Sequence, residues 1–479
     1  MGPPQDSPSG TGKARRGIQQ PEPPYWRPSR RFIAAPKIDI HQKPWVAIIS
    51  VTALVLVFVI IAGLVVRGAL SGPLWNKGLR FGPEPARPAA AEGWMLWGNY
   101  GFTGDVSVLG ISSSGYVAAA SGLDHPGTGP SQIGMISLLT SYMDWGYSAK
   151  SGIQVAGESS NIVAAADNQI FSINISSALT PQSVHFPATM DLVSANSFYI
   201  LAHDRINNNL CVTSRNILET SGWSCTWTAP FVALPQVDPT SVMANTYMFG
   251  SGRWINTGAG VRNTADGQPA NFGADAGLHG DTLTYYAGND RFFKVVAGPD
   301  GTTWQPWDTA SDEGVSPAVV ATRALMYTQA DTYITVSDSG SPAVTAYDFE
   351  SGNQLWQVPV SSTQASTLQL FFTDQVIIAD GSKVTVYRPN SGSMVKTWDT
   401  TGTAHIAGQA NGKLYITDDD SLFIIDPSNN YQSSSYKLPA GATQVYITPS
   451  MTFAGQNGPV AKNLVFTIGA DSWFWLLNQ

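Results

Sequence analysis

Three consecutive carboxylates, Asp418-Asp419-Asp420, carry the hard oxygen ligands that Ca²⁺ prefers. Adjacent residues of an extended chain point to opposite faces, however, and the D-x-D-x-D-G spacing of a calcium loop is absent, so the run reads as a solvated β-turn. The six histidines are His41, His125, His185, His203, His279 and His405. None forms an H-x-H or H-E-x-x-H pair, so the spacing for zinc ligation is missing. His203-Asp204 combines an imidazole base with a carboxylate, yet no nucleophile elbow or Cys–His setting accompanies it, and it reads as a satisfied hairpin pair. The only cysteines, Cys211 and Cys225, flank the turn residues Asn216 and Ser221-Gly222. At that spacing they can clamp one hairpin. The expectation is therefore no catalytic residue, no metal and no cofactor, with Cys211 and Cys225 as a structural disulfide.

Short extended runs must position these groups. From Trp94 onward, β-branched and aromatic runs alternate with Gly, Asn, Asp and Ser. Hairpin-like units begin near Tyr116, Ile162, Phe198, Tyr247, Leu283, Tyr333, Val376, Leu414 and Phe453. Their spacing of roughly 35 to 50 residues suits four-stranded blades, and no amphipathic helix intervenes. Reading the Tyr247 and Leu283 units as one blade with an insertion gives an all-β ring of seven or eight blades over 94–479. Pairing of the Trp94–Val108 region with Asp471–Asn478 would close it and remove exposed sheet edges.

The chain has 479 residues, 11% aromatic and only 13% charged, which disfavours disorder for its bulk. Residues 1–44 carry eight Lys/Arg against three Asp/Glu, a net +5, so the rest holds 18 against 31, a net −13. An acidic globular part argues against nucleic acid as partner. Residues 45–67 are read as a single transmembrane helix. Its charge-free stretch, 45–66, has 22 residues, and at ~1.5 Å per residue it spans about 33 Å, enough to cross a bilayer. This exceeds a secretory h-region and no A-x-A site follows, so it is read as a retained anchor.

Lys13, Arg15, Arg16, Arg27, Arg30, Arg31, Lys37 and Lys43 precede the helix, while Arg67, Lys77, Arg80 and Arg87 follow it. The excess places the N-terminus in the cytoplasm and the ring outside the plasma membrane. Ser29-Arg30-Arg31-Phe32-Ile33 lacks the spacer residue of a twin-arginine signal and reads as positive-inside charge. Residues 1–44 read as a disordered basic tail whose Pro21–Pro28 segment can form polyproline II. Residues 68–93, with four prolines, read as a linker reaching roughly 80 Å if extended. No cysteine stands near the helix, so a lipid-modified cysteine anchor is excluded. The exported setting favours the Cys211–Cys225 disulfide over free thiols.

Residues 346–356 read A-x-D-x-x-S-G-x-x-x-W, carried by Ala346, Asp348, Ser351, Gly352 and Trp356. Asp348 can bond back to the turn backbone, Ser351-Gly352 can close the hairpin, and Trp356 can wedge against the next blade. The pattern resembles the blade repeat of the PQQ-like (quinoprotein-type) β-propellers. Weaker copies run from Val386 to Ser391-Gly392, with Trp398 two places late, and from Ile424 to Asn429-Asn430, with no Trp. PQQ enzymes of that family add a vicinal Cys-Cys ring, a Trp under the cofactor and a Ca²⁺ site. Here the cysteines lie 14 positions apart, so the vicinal pair is missing and the repeat is read as architecture. Residues 298–304 (GPDGTTW) resemble a shortened Asp-box of sialidase-like propellers, which is a turn device, and are read as a Gly-rich hairpin followed by an outer-strand Trp.

A non-enzymatic barrel-assembly lipoprotein of Gram-negative outer membranes has similar repeats, with a lipid where this chain has a helix. The resemblance implies a bacterial, non-catalytic binding scaffold of the cell envelope, as an accessory subunit of a membrane complex whose partners are envelope or membrane proteins. The alternative is a PQQ-dependent dehydrogenase or a propeller that binds or cleaves glycan.

Overall fold

The computed structural model describes residues 80–479 other than 124–130, 151, 158–160, 178, 220–221, 233–247, 250–251, 258–259, 270–281, 289–290, 300, 309–312, 328–330, 339–340, 365–366, 456–457 and 479. The expected basic tail and the helix at 45–67 lie outside these residues, as do His41, His125 and His279. No helix among the described residues is long and apolar enough to cross a membrane. Apart from short 3₁₀ turns such as Arg215–Glu219 and Pro427–Asn429, the fold is all-β.

The strands form antiparallel meanders in chain order. Four-stranded sheets cover residues 106–148, 154–185, 190–230, 323–359, 368–399 and 405–437. Residues 282–320 give a five-stranded sheet and 248–263 a three-stranded one. The units expected near Tyr247 and Leu283 thus fall in separate sheets rather than in one blade with an insertion. The last four-stranded sheet joins both ends of the fold. Val445–Ile447, Val465–Ile468 and Trp473–Leu477 pair in turn, and Trp94–Asn99 completes the edge with Trp94 opposite Leu477 and Asn99 opposite Trp473. A small hairpin, Met451–Gly455 with Gly458–Lys462, is inserted between its first two strands.

Successive sheets pack face to face. Trp145 and Tyr147 of the 106–148 sheet lie against Phe171 and Ile173 of the next, with Tyr147 and Phe171 edge-to-face at 5.7 Å. Leu201, Leu210 and Val212 pack on Met248 and Ile255. Ile334 and Val344 pack on Val376 and Ile378. Phe466 and Phe474 of the closing sheet meet Val117 and Ile136 of the first, completing the circuit. The second strands of the first two sheets carry buried alanines, Ala118, Ala119 and Ala120 in one and Ala164 and Ala165 in the other. Their small side chains let facing sheets approach closely. Meanders packed radially and closed by pairing of the two ends are the architecture of a β-propeller.

Residues 80–85 do not hang free. Phe81 donates its backbone N–H to Tyr100 at 2.9 Å, and its ring meets Phe102 at 4.9 Å. A Cβ added at Gly146 would sit 2.7 Å from Phe81. Arg80 pairs with Glu84 and donates to Asn99 Oδ1 at 2.9 Å. The C-terminal part of the expected 68–93 linker is therefore strapped across the ring closure. An apolar aromatic with a ready pocket outweighs the extended tendency of its prolines.

Candidate functional site

The repeat motif builds joints between sheets. Asp348 ends the strand Ala343–Asp348 and accepts from the Ser351 backbone at 2.8 Å and its hydroxyl at 2.6 Å. These bonds, the hydroxyl's first, hold the Asp348 carboxyl below its ordinary pKa. Gly352 follows in the left-handed region at φ 67°, which favours glycine. Ala346 and Trp356 are buried. Trp356 donates from Nε1 to the carbonyl of Pro389 in the next sheet and stacks over Tyr387 at 6.3 Å. Trp398, of the weaker copy, meets Tyr431 of the following sheet at 5.6 Å.

A further copy escaped the sequence pattern. Asn263-Thr264-Ala265-Asp266-Gly267 makes the same turn, with Asn263 Oδ1 accepting from Ala265 at 2.9 Å and Gly267 at φ 71°. Trp227, from the preceding sheet, donates to Thr264 at 2.9 Å. The signal is the shared N/D-x-x-x-G turn with a Trp one sheet earlier, not within the same repeat.

The other sequence candidates fall in structural roles. Asp418 is buried, unlike the solvated turn expected there, whereas Asp419 and Asp420 are exposed. It accepts from Thr401 Oγ1 at 2.7 Å, Thr401 N at 3.1 Å, Ser421 N at 2.8 Å and Asp420 N at 3.1 Å. Burial works to raise its pKa, and these donors outweigh it, so the net shift is downward. Among the described residues no three His, Cys, Asp or Glu side chains are grouped to hold a metal. His203 meets Asn208 Oδ1 at 3.0 Å and stacks on Phe231 at 4.1 Å. Asp204 instead caps the turn at Ile206 and Asn207, so the two side chains face different partners. Gly298 and Gly301 pair in a tight hairpin. Trp304 lies on the third strand of its sheet, not an outer one, and donates to Ala321 at 3.0 Å. Asp300 lies outside the described residues. Cys211 and Cys225 form a disulfide.

Three concave or apolar regions stand out among the described residues. First strands Val106–Ile111, Leu368–Phe372, His405–Ala410 and Val445–Ile447 surround an axial space of about 560 Å³, lined by Leu109, Ile111, Phe371 and Ile447 among others. Glutamines staple neighbouring first strands to one another. Gln369 accepts from Ile406 N at 2.8 Å and meets His405 Nδ1 at 3.0 Å. Gln154 accepts from Leu192 N at 2.7 Å and donates to Asp191 at 2.9 Å.

The hairpins joining first to second and third to fourth strands open on one side of the ring. On three consecutive sheets they carry exposed apolar side chains: Leu139 and Tyr142 at 50% and 67%, Leu179 at 77%, and Phe198 at 65%. A cleft of about 610 Å³ lies beside Leu179, between Asn174, Pro181, Arg215 and Glu219. The opposite side holds a polar cleft of about 570 Å³, between the 80–85 strap and the loops ending in Asp105, Gln444 and Asp471.

No family model matches the chain. No curated protein matches it either. Among solved structures, the chain is similar to BamB from Moraxella catarrhalis, at 14% identity over 78% of this chain and 98% of that one, with a TM-score of 0.38. It is also similar to a eukaryotic initiation factor, at 11% identity over 70% and 87% of the two chains, with a TM-score of 0.48. Sqt1 from Saccharomyces cerevisiae is similar at 9% identity over 82% and 99%, with a TM-score of 0.43.

Proposed function

We propose that this chain is a non-catalytic binding scaffold of the bacterial cell envelope, an accessory subunit of a membrane protein complex. Residues 45–67 cross the plasma membrane once, the 1–44 tail stays in the cytoplasm, and the PQQ-like propeller lies outside. Its eight full-sized sheets are the blades, and the three-stranded 248–263 sheet is a wedge between two of them. The observation that carries the reading is the apolar hairpin side formed by Leu139, Tyr142, Leu179 and Phe198. Single exposed apolar residues are ordinary, but among the described residues four of the five large ones on these three sheets lie on this side, Ile206 being on the other, and such a concentration marks a contact surface. Aromatic anchors of this kind carry most of the energy of a protein interface.

The test uses the full chain extracted in detergent from its own membrane. A stoichiometric membrane protein should co-purify with the wild type and be lost when Leu139, Tyr142, Leu179 and Phe198 are all replaced by Ser. Retention of that partner by the folded variant, or alcohol oxidation by the purified chain with PQQ and Ca²⁺, would overturn the reading. Protease added to spheroplasts should leave a protected fragment of about 70 residues, as the positive-inside charge requires. Protection of the whole chain would reverse the orientation.

A further inference from the structure

We infer that residues 74–79, Leu-Trp-Asn-Lys-Gly-Leu, dock on the outer edge of the joint between the closing sheet and the 106–148 sheet, with the Lys77 ammonium paired to the Asp144 carboxylate. This goes beyond the scaffold reading and does not depend on it. Four polar atoms at this edge are buried without a hydrogen-bond partner among the described residues: Arg80 Nε, Trp97 Nε1, the Tyr100 hydroxyl and Asp144 Oδ2. Tyr100 is only 3% exposed. Trp97 and Tyr100 pack with Phe81 and Met143 in one apolar cluster. Asp144 lies close enough for its charge to join burial, the larger cause, in pushing the Tyr100 phenol up. Burial raises the Asp144 carboxyl as well. Buried polar groups are nearly always bonded, so four orphans at one edge point to a partner that covers them.

Trp94–Asn99 and Met143–Ser148 are the edge strands of these two sheets. Asp144 is the extra residue of a β-bulge, between Met143 opposite Ile136 and Trp145 opposite Met135. The outermost strands of the 323–359 and 368–399 sheets carry the same bulge, with Leu355 and Val395 at that place. The carboxylate thus stands where those sheets hold an aliphatic side chain, and it does so at the joint where residue 80 enters. Arg80 is already engaged by Glu84 and Asn99. Lys77 is the only charged residue of 68–79. It precedes Arg80 by three positions, about 10 Å of extended chain, and so short a tether holds the two charges at a high effective concentration. An ammonium beside a half-buried carboxylate offsets its desolvation, and backbone carbonyls of the docked segment can accept from Trp97 and Arg80. Leu74, Trp75 and Leu79 bring apolar groups like Phe81, which docks at Phe102 and Gly146. Docking shortens the expected 68–93 linker to residues 68–73, a consequence that matters for the anchor only on the membrane reading.

The full chain in detergent should be treated with a water-soluble carbodiimide, which joins an amine to a carboxylate in direct contact, and digested for peptide mass mapping. An amide between Lys77 and Asp144 is expected. Hydrogen exchange at residues 75–79 should be slower than in an unstructured peptide by about tenfold or more. Asp144→Asn and Lys77→Asp should each abolish that protection, and the exchanged pair Lys77→Asp with Asp144→Lys should restore it. Protection at Phe171 and Leu201, on other sheets, reports that each variant is folded. Exchange at the unstructured rate over 75–79 in the wild type would mean that solvent alone meets the orphan atoms, and would overturn the inference. So would protection that both single substitutions leave unchanged, or the absence of the Lys77–Asp144 amide.

Discussion

Trp356 is packed onto Gly392 of the following sheet: a Cβ added at Gly392 would sit 2.6 Å from the Cβ and Cγ of the tryptophan. Trp227 and Gly267 repeat the arrangement one joint elsewhere, with the nearest ring atom 2.7 Å from such a Cβ. In sequence the motif joins a glycine turn to the tryptophan that follows it. In space each tryptophan completes the turn of the next sheet. The repeat is therefore a device for coupling neighbours, which explains why decayed copies still close the ring.

Gly392→Ala should destabilise the domain by about 2–4 kcal/mol, from the left-handed backbone and from displacement of the indole. Trp356→Ala should cost about 3–5 kcal/mol. The double variant should cost less than the sum, since the contacts with Cγ and the ring go with the indole and only the one with Cβ remains. Urea unfolding of the four proteins measures the coupling. Strict additivity would show that the joint does not act as a unit.

The glutamine staples make a second prediction. Gln369→Leu leaves the Ile406 N–H without its acceptor, and Gln154→Leu does the same to Leu192. Each should cost about 1 kcal/mol, the low end of the range for an orphaned donor, because both bonds are only half-buried. The two share no partner, so their effects should add. Hydrogen exchange should quicken at Ile406 in the first variant and at Leu192 in the second. Unchanged protection at both amides would remove the staple's role.

Asp418 sets a pH limit. Its folded-state pKa is depressed by donors from Thr401, Asp420 and Ser421 acting against burial. The stabilisation is thus present above the unfolded carboxylate value, near ~3.9, and is lost as pH falls through the lower folded value. Asp418→Asn should be less stable than wild type by about 1–3 kcal/mol at neutral pH. The gap should narrow below about pH 4. A gap independent of pH between 7 and 3 would contradict this account.

Much of the fold was legible because period-two runs and turn residues are local signals. The hairpin starts and the Asp348–Ser351–Gly352 turn lie in short stretches of chain, while closure of Trp94–Asn99 onto Trp473–Leu477 was legible only from the need to cover sheet edges. What the sequence concealed is made by distant segments. Trp227 and Gly267 are 40 positions apart, and Asn263 replaces the motif's Asp, so the copy has no contiguous spelling. Gln154 and Gln369 are single polar residues in strands and carry no periodicity. Phe81 sits among prolines and glycines whose composition reads as a spacer, and only the pocket at Phe102 and Gly146 reveals its docking. The polar cleft draws on separate loops from both ends of the fold. No window of sequence could assemble it.

The disulfide gives the last prediction. Cys211 is fully buried on the third strand of the 190–230 sheet, and Cys225 lies just before the fourth. The bridge closes the loop containing the Arg215–Glu219 turn, whose Leu218 is buried, and Trp223, whose ring meets Phe186 edge-to-face at 4.9 Å. Closing a loop of this length is worth about 3 kcal/mol in the chain-entropy model. Both single Ser variants lose that constraint, so each should unfold at lower urea than wild type by an amount near this figure. Cys211→Ser should be the worse, because its hydroxyl is placed in a fully buried site, whereas position 225 is only half-buried. Dithiothreitol should lower wild-type stability towards that of Cys225→Ser and leave both variants unchanged. Quantitative alkylation of the native, unreduced protein at Cys211 and Cys225 would show that the bridge does not form.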